Sequence, residues 1–427
     1  MKSIASLYNE LNTLANGYIS KKKINNKDYY YLQYFIHGQI KSKYIPKTQI
    51  EDVLKQLNRR KEIEKEIKKL QSVGSNLAVL TKNHHQLTGQ LMSSDDVVAS
   101  FNQGTLTYID VDKAPLYFRR SQNLSAYLSK RIFDESRNNT RLLKKVLSIK
   151  EKEPSSIALL VHGASLTDNY WFKAKGSRLH YKDIIFSDLY ADTSLKGIIY
   201  PFKRISKLSP ELTLTGSYEK CWKKINNSWW LYKKENSNEL FSELFSSQIA
   251  ELLNIPTVHY FYEDGFIKCE NFASLYNFEP MSSLCDDDDT YQRAFDTLYE
   301  IDPDIAIDYL KLMMFDIIVN NVDRHNENYG LLRDKKNGRI IALAPNFDNN
   351  LSLISVDPTL SNKDGFITVF KKFLTSHPIA YELYKKIKLP LLDENKLKMI
   401  MSTIPIKVNE DKIITYVLER YYKVIKF

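Results

Sequence analysis

Three polar residues have the types and spacing that phosphoryl transfer requires. Asp323 is followed five positions later by Asn328, and Asp348 follows 20 positions after that. Phosphoryl transfer needs a carboxylate that accepts the proton of an attacking hydroxyl, and oxygen ligands that hold magnesium on the ATP phosphates. Oxygen ligands alone suit a hard cation such as Mg²⁺. The pattern Asp-x4-Asn is weak by itself, and the second Asp strengthens it.

A helix and a hairpin are predicted to bring these three residues together. Residues 304–320 carry apolar side chains at helical spacing and lead directly into the polar loop around Asp323. Residues 329–344 then predict two strands joined by a tight turn at Asn337-Gly338. Because a hairpin holds its two ends close together, Asp348 is expected to share one ion with Asn328.

The segments DIIVNNVDRHNENYGLL and LAPNFD resemble the catalytic and metal-binding segments of HipA-like serine/threonine kinases and the related CtkA-like kinases. In these families the loop reads Asp-x-His-x-x-Asn. The resemblance implies that Asp323 is the catalytic base and that Asn328 and Asp348 are metal ligands. It also implies that His325 supports the catalytic loop, although a lone histidine is as often structural.

Leu212–Trp222 is similar to the phosphate loop of the HipA-like family, in which Ser/Thr residues precede one glycine. The resemblance implies phosphate contacts from Gly216 and Ser217. It also implies regulatory autophosphorylation just before the glycine, at Thr213 or Thr215, with Thr213 preferred. A phosphate there adds about −1.5 to −2 charges and would repel ATP. The alternative is that both threonines support a β-strand.

A predicted strand ends in Lys233, which matches the family's strand lysine and is expected to contact the α/β-phosphates. A helix is predicted from Glu239 to Leu253 with Asn238 as its N-cap. It carries Glu243, which matches the family's helix glutamate. Glu243 would form an ion pair with Lys233, whereas Lys234 would point to the opposite face. The implied hinge residues, whose backbone groups would bind adenine, are Glu270 and Phe272.

These elements predict an α+β, two-lobed, protein-kinase-like fold with a small β-rich lobe, a large helical lobe and an N-terminal basic module. The strands before residue 275 and the helices after it give the order of a kinase. The predicted domains are a basic β-hairpin plus helix over 1–73, a mixed α/β segment over 74–205, the small lobe over 206–275 and the helical lobe over 276–427.

The composition sets the class of protein. The chain has 427 residues and a net charge of +10, of which residues 1–72 carry +8, from 15 Lys and Arg against seven acids. We find no apolar run long enough for a membrane span and no secretory segment. The three cysteines make no metal-ligand spacing, so we expect a reduced, cytoplasmic compartment.

The basic charge of the N-terminal module has two interpretations. Residues 17–47 contain seven lysines, one acid and interleaved tyrosines, and are predicted to be β, followed by an exposed helix. This pattern favours nucleic-acid contact through phosphates. A solvated hairpin, or a docking arm for a protein partner, remains the alternative.

Three functions are consistent with the sequence. The first is a HipA-like, toxin-type Ser/Thr protein kinase with ATP and Mg²⁺ as cofactors, a protein substrate and a cognate antitoxin. The second is a lipid or small-molecule phosphotransferase. The third is a nucleic-acid-binding regulator that retains a kinase fold. The acidic run at 286–289 lacks the alternating spacing of a calcium loop, so we expect it to be solvated.

Overall fold

The computed structural model has a mixed α/β fold with several antiparallel sheets. It describes residues 7, 10–11, 13–24, 26–36, 39–74, 87–135, 137–184, 186–198, 208–216, 218–285, 290–361 and 364–427. Ser217 and the acidic run at 286–289 lie outside the described residues.

The described strands run from β1 to β14 in chain order. They are β1 Tyr18–Ile24, β2 Lys27–Ile36, β3 Gln39–Ile45, β4 Gly89–Ser93, β5 Asp96–Asn102, β6 Thr105–Tyr108, β7 Tyr170–Ala174, β8 Lys220–Ile225, β9 Ser228–Lys233, β10 Tyr260–Glu263, β11 Phe266–Glu270, β12 Tyr276–Pro280, β13 Gly330–Asp334 and β14 Ile340–Leu343.

The described α-helices run from α1 to α15. They are α1 Ile50–Gly74, α2 Tyr117–Arg120, α3 Leu124–Ser129, α4 Thr140–Val146, α5 Pro154–Leu159, α6 Ala191–Lys196, α7 Ser237–Leu252, α8 Ser282–Cys285, α9 Tyr291–Ile301, α10 Pro303–Val319, α11 Leu353–Val356, α12 Gly365–Ser376, α13 Pro378–Lys386, α14 Glu394–Met401 and α15 Glu410–Ile425. None of these helices has the length and apolar character needed to cross a bilayer.

The chain divides into two compact units. The first unit comprises residues 1–109, 123–165 and 170–217. The second unit comprises residues 110–122, 166–169 and 218–427. The predicted domain boundaries after residues 73, 205 and 275 stay predictions.

The first unit contains two antiparallel sheets, with strand orders β1-β2-β3 and β6-β5-β4-β7. The predicted hairpin is present as β2 and β3, with α1 after it, and the sheet has one additional strand. The additional strand is β1, which contains three consecutive lysines, Lys21 to Lys23. Exposed lysines are compatible with an edge strand, since they discourage pairing with another chain.

The second unit contains the sheets β10-β11-β9-β8 and β12-β13-β14 together with a helical core. Helix α10 lies within this core, where it packs against α9 and α15. It is apolar nearly all round, and Leu310, Phe315 and Ile318 are completely buried. Its C-terminal end is therefore held firmly, and the loop that contains Asp323 begins there.

The hairpin of β13 and β14 confirms the predicted strands but has a wider turn than predicted. The Asp334 carboxylate accepts hydrogen bonds from the backbone N–H groups of Lys336 and Asn337, at 2.7 and 3.0 Å. Gly338 has a φ of +73°, and its ideal Cβ would lie 2.0 Å from the Asp112 carbonyl oxygen. Glycine is therefore required at this position by both conformation and space.

Candidate active site

Helix α7 begins immediately after strand β9, so Lys233 and Glu243 are close in the fold. Asn236 is the N-cap, and its Oδ1 accepts hydrogen bonds from the backbone N–H groups of Asn238 and Glu239, at 3.0 and 3.1 Å. Glu239 in turn accepts from the Asn236 N–H at 2.9 Å, which completes a capping box. The prediction that Asn238 caps this helix is wrong, since Asn238 lies inside its first turn.

Lys233 connects two elements of the second unit. Its side chain is buried, and Nζ donates a hydrogen bond to Glu243 Oε2 at 3.2 Å and another to the Asp348 carboxylate. Glu243 is completely buried, and its Oε1 accepts from the Asn349 backbone N–H at 2.8 Å. The structure thus brings the predicted strand lysine, helix glutamate and second metal ligand into direct contact. The neighbouring Lys234 is exposed, as expected for the opposite face.

A third carboxylate, Glu235, joins this cluster and was not predicted. Its Oε1 lies 3.9 Å from Lys233 Nζ, and among the described residues neither of its oxygens has a hydrogen-bond partner. Oxygens of Glu235, Glu243 and Asp348 lie within 4.8 Å of one another. The donors in this cluster are carboxylate oxygens, which is the ligand type that Mg²⁺ prefers. The residues present therefore fit a magnesium ion.

The charges of Lys233 and Asp348 stabilise each other. Burial by itself would raise the pKa of Asp348. The positive charges of Lys233, Lys220 and Arg324 lower it by more, so the pKa of Asp348 lies below its ordinary value. Burial would lower the pKa of Lys233, yet Asp348 and Glu243 hold it well above its ordinary value. At neutral pH the lysine is therefore charged and Asp348 is ionised.

The loop that contains Asp323 is anchored on helix α10 by Arg324. The helix ends at Val319, and Asn320 follows in the left-handed conformation with a φ of +53°. Arg324 turns back to make two hydrogen bonds to the Asp316 carboxylate, from Nε at 3.0 Å and from Nη2 at 2.9 Å. Both side chains are buried, which makes this a buried bidentate pair.

The same guanidinium also holds the segment that contains Asp348. Its Nη1 donates to the carbonyl oxygens of Asn328 and Phe347, both at 2.8 Å. Its Nη2 donates to the side-chain oxygens of Asn346 and Asn349, at 2.7 and 2.8 Å. Arg324 therefore fixes the loop of Asp323 against the segment of Asp348.

Arg324 and Asp316 were missed from the sequence, although a signal for them existed. Asp316 is the one charged residue in the apolar run Leu312–Val319. A charge within a buried helix is expected to have a partner, and the adjacent loop offers Arg324.

Asp323 and Asn328 are held by backbone contacts within the loop. The Asp323 N–H donates to Asn321 Oδ1 at 3.0 Å, and Asn328 Nδ2 donates to the Asp323 carbonyl oxygen at 2.9 Å. The Asp323 side chain remains 39% exposed, so a substrate can reach it. Burial raises its pKa, with Asp348 acting in the same direction and His325 opposing. A raised pKa makes an ionised carboxylate a better proton acceptor.

His325 contacts mainly residues of its own loop. Its Nε2 lies 3.9 Å from Asp323 Oδ2, beyond hydrogen-bonding distance. Its Nδ1 accepts a hydrogen bond from the Glu327 N–H at 3.2 Å, which closes a turn of the loop. These contacts fit a supporting residue better than one that transfers a proton.

The implied hinge lies next to the segment of Asp348. Glu270 is exposed at the end of β11, opposite Trp230 of β9. The ring of Phe272 lies 5.4 Å from that of Phe347, the residue before Asp348. The implied hinge and the segment of Asp348 therefore share an aromatic contact.

The implied phosphate-loop residues Thr213, Thr215 and Gly216 belong to the first unit. Thr213 ends a short 3-10 helix, Pro210–Thr213, and its hydroxyl donates to the Pro210 carbonyl oxygen at 2.9 Å. It is therefore not in a β-strand. Thr215 is exposed, and Gly216 has a φ of +90°.

Comparisons with known proteins give distant likenesses. Residues 2–56 match a family model described as a domain of unknown function, DUF6788. A search of curated proteins found no match. The fold is similar to that of the Helicobacter pylori proinflammatory kinase CtkA, with 21% identity and a TM-score of 0.40, over 48% of this chain and 91% of that one.

A second likeness is to a chain in the toxin–antitoxin complex of HipA, HipB and operator DNA from Shewanella oneidensis MR-1. It has 13% identity and a TM-score of 0.48, and it covers 79% of this chain and 96% of that one. Both likenesses are distant in sequence and in backbone geometry.

Replacing Arg324 with Met should destabilise the protein, because Asp316 would remain buried without its cation. Breaking a buried pair in this way costs about 3–5 kcal/mol in the free energy of unfolding. Urea denaturation followed by circular dichroism measures the loss. Arg339→Met is the matched control, since Arg339 is exposed and should change the unfolding midpoint little. Equal midpoints for the two variants would contradict the anchoring role.

Because Glu235 is buried and has a raised pKa, we expect the stability of the protein to depend on pH. Burial raises its pKa from 4.5 to about 8, so the folded protein holds a proton there that the unfolded chain releases. Stability from this group is therefore complete below about pH 4.5 and is lost as the pH rises through 8. Glu235→Gln should flatten this part of the profile of melting temperature between pH 5 and 8.5. A profile unchanged by the substitution would show that Glu235 is not buried as described.

Proposed function

We propose that this chain is an ATP- and Mg²⁺-dependent Ser/Thr protein kinase of the HipA-like toxin type. The observation that carries the proposal is the buried contact of Lys233 with Glu243 and Asp348. A lysine on a strand, a glutamate on the next helix and an aspartate after a hairpin are the set that protein kinases use to hold ATP and its metal. The loop of Asp323 is fixed to this set through Arg324.

Each residue then has a defined task in the reaction. Lys233 binds the α/β-phosphates, and Asp323 orients the substrate hydroxyl and accepts its proton. The hydroxyl oxygen forms a bond to the γ-phosphorus while the bond from phosphorus to the bridging oxygen breaks, and ADP leaves. The task of Asp323 matches its partial exposure, and the task of Lys233 matches its retained positive charge.

Asp348 and Asn328 would hold magnesium, with Glu235 available beside them. When bound, the ion neutralises the charge of the phosphates. Asn328 Nδ2 donates to the Asp323 carbonyl, so its side-chain oxygen is left for other contacts. Gly216 and Ser217 are assigned to phosphate contacts, and Glu270 and Phe272 to adenine, on the sequence resemblance.

The resemblance also supplies the proposed partners. We propose a protein hydroxyl as substrate, a cognate antitoxin as binding partner and the cytoplasm as the compartment. Cys221, Cys269 and Cys285 form no disulfide within the described part of the chain, which suits a reducing compartment. Co-purification with the product of a neighbouring open reading frame would test for the antitoxin.

Two substitutions separate catalysis from nucleotide binding. Asp323→Asn should leave ATP binding intact and reduce phosphotransfer by about 100-fold or more, because the proton acceptor is lost. Asp348→Asn should also weaken Mg-ATP binding, since a metal ligand is lost. Autophosphorylation with labelled ATP, and isothermal titration with a non-hydrolysable analogue, measure the two effects.

The adjacent lysines provide a matched control. Lys233→Met should abolish nucleotide binding, whereas Lys234→Met should retain it, because only Lys233 lies in the buried cluster. Thermal melts check that each variant is folded. Full autophosphorylation by Asp323→Asn, or equal nucleotide affinity of the two lysine variants, would overturn the assignment.

We also propose that the active enzyme phosphorylates its own phosphate loop. Thr215 is the more accessible acceptor, because it is exposed while the Thr213 hydroxyl is engaged with Pro210. Phosphosite mapping after incubation with Mg-ATP should find phosphate at Thr215 in the active protein and none in Asp323→Asn. An active preparation without phosphate at either threonine would count against autoregulation.

A further inference from the structure

The three-stranded sheet of the first unit has one face rich in tyrosine. In strand β2, Tyr29, Tyr31 and Gln33 alternate onto this face. Their directly paired neighbours lie on the same face: Lys22 opposite Tyr29, Ser20 and Tyr44 opposite Tyr31, and Tyr18 opposite Gln33. Tyr30 and Tyr34 of the same strand therefore belong to the opposite face.

The tyrosines of this face form a contiguous aromatic surface. The ring of Tyr44 lies 6.2 Å from that of Tyr29 and 5.8 Å from that of Tyr31. The hydroxyl of Tyr18 donates to Gln33 Oε1 at 2.8 Å. Tyr18 and Tyr44 are 49% and 50% exposed, which is high for aromatic side chains that contact their neighbours. The rings of Tyr18 and Tyr44 are thus held in position and open to solvent, and those of Tyr29 and Tyr31 are half-buried.

Positive charge surrounds this surface. Residues 17–47 contain seven lysines and one acid, and that acid, Asp28, is already paired with Lys21 at 2.8 Å. On the tyrosine face, Lys22 Nζ lies 5.3 Å from the centre of the Tyr31 ring. By register, Lys22 and Lys27 lie on the tyrosine face, whereas Lys21, Lys23, Lys41 and Lys43 lie on the opposite face. The positive charge beside the tyrosine rings therefore comes from Lys22 and Lys27.

We propose that the tyrosine face binds single-stranded nucleic acid. Unpaired bases of any sequence can stack on aromatic side chains, and lysines contact the backbone phosphates. A duplex hides its bases within its own stack, and its major groove admits an α-helix or a two-stranded ribbon rather than the face of a three-stranded sheet. Exposed stacking surfaces together with excess positive charge favour the single strand over a protein partner.

Fluorescence anisotropy with the full-length chain tests this proposal without ATP. The probes are labelled 12-nucleotide oligo(dT), oligo(rU) and a duplex of equal length, at 50 and 200 mM salt. We expect the single strands to bind at least about tenfold more tightly than the duplex, with affinity falling as salt rises. Equal or tighter duplex binding, or no binding at 50 mM salt, would overturn the proposal.

Adjacent residues of β2 provide the matched variants. Tyr31→Ala combined with Tyr44→Ala should weaken single-strand binding about tenfold or more, because stacking is lost. The pair Tyr31→Phe and Tyr44→Phe should retain binding, since the rings remain. Tyr30→Ala is the control on the opposite face and should change affinity little, with circular dichroism checking the fold of each variant. A Tyr30→Ala loss as large as that of the double alanine variant would contradict the assignment to this face.

Discussion

The guanidinium of Arg324 is the interaction on which the candidate active site depends. It makes hydrogen bonds to the helix, to the loop of Asp323 and to the segment of Asp348. An arginine has five N–H donors in a rigid planar arrangement, so one side chain fixes several backbone segments at once. Lysine has no such geometry. The relative positions of the proposed base and the proposed metal ligand therefore depend on one buried cation.

The neighbouring cluster has more acceptors than donors. An ammonium group has three N–H donors, whereas the carboxyl groups of Glu235, Glu243 and Asp348 surround Lys233 with twice that number of oxygens. Two of them, on Glu235, have no hydrogen-bond partner among the described residues. Buried oxygens without a hydrogen-bond partner destabilise the folded state unless a proton or a cation satisfies them. Burial raises the pKa of Glu235 to about 8, so a proton satisfies this carboxyl group at neutral pH.

Local patterns predicted much of the second unit. The apolar spacing of residues 304–320 gave helix α10 to within a residue at each end, and the Asn-Gly pair located the hairpin turn. The lone charge of Asp316 in an apolar run could have indicated Arg324 as its partner, but the contacts of Arg324 with the Asp348 segment and the place of Glu235 depend on residues brought close by the fold. Residues 17–47 were predicted to be β, but β1 was not identified as a separate strand, since a lysine-rich edge strand lacks the apolar alternation that identifies a half-buried strand.

The backbone at Asp348 explains how the site is kept in order. Asp348 has a φ of +60°, a left-handed conformation that is unfavourable for most residues and tolerated by Asp and Asn. It is fixed from both sides, because the Asp348 N–H donates to the Tyr260 hydroxyl at 3.3 Å and the next N–H donates to Glu243. Such strain persists where the surroundings over-determine it, and it is concentrated at functional sites. The direction of the Asp348 carboxylate, toward Lys233, is thus set by the protein's own buried contacts before any ligand binds.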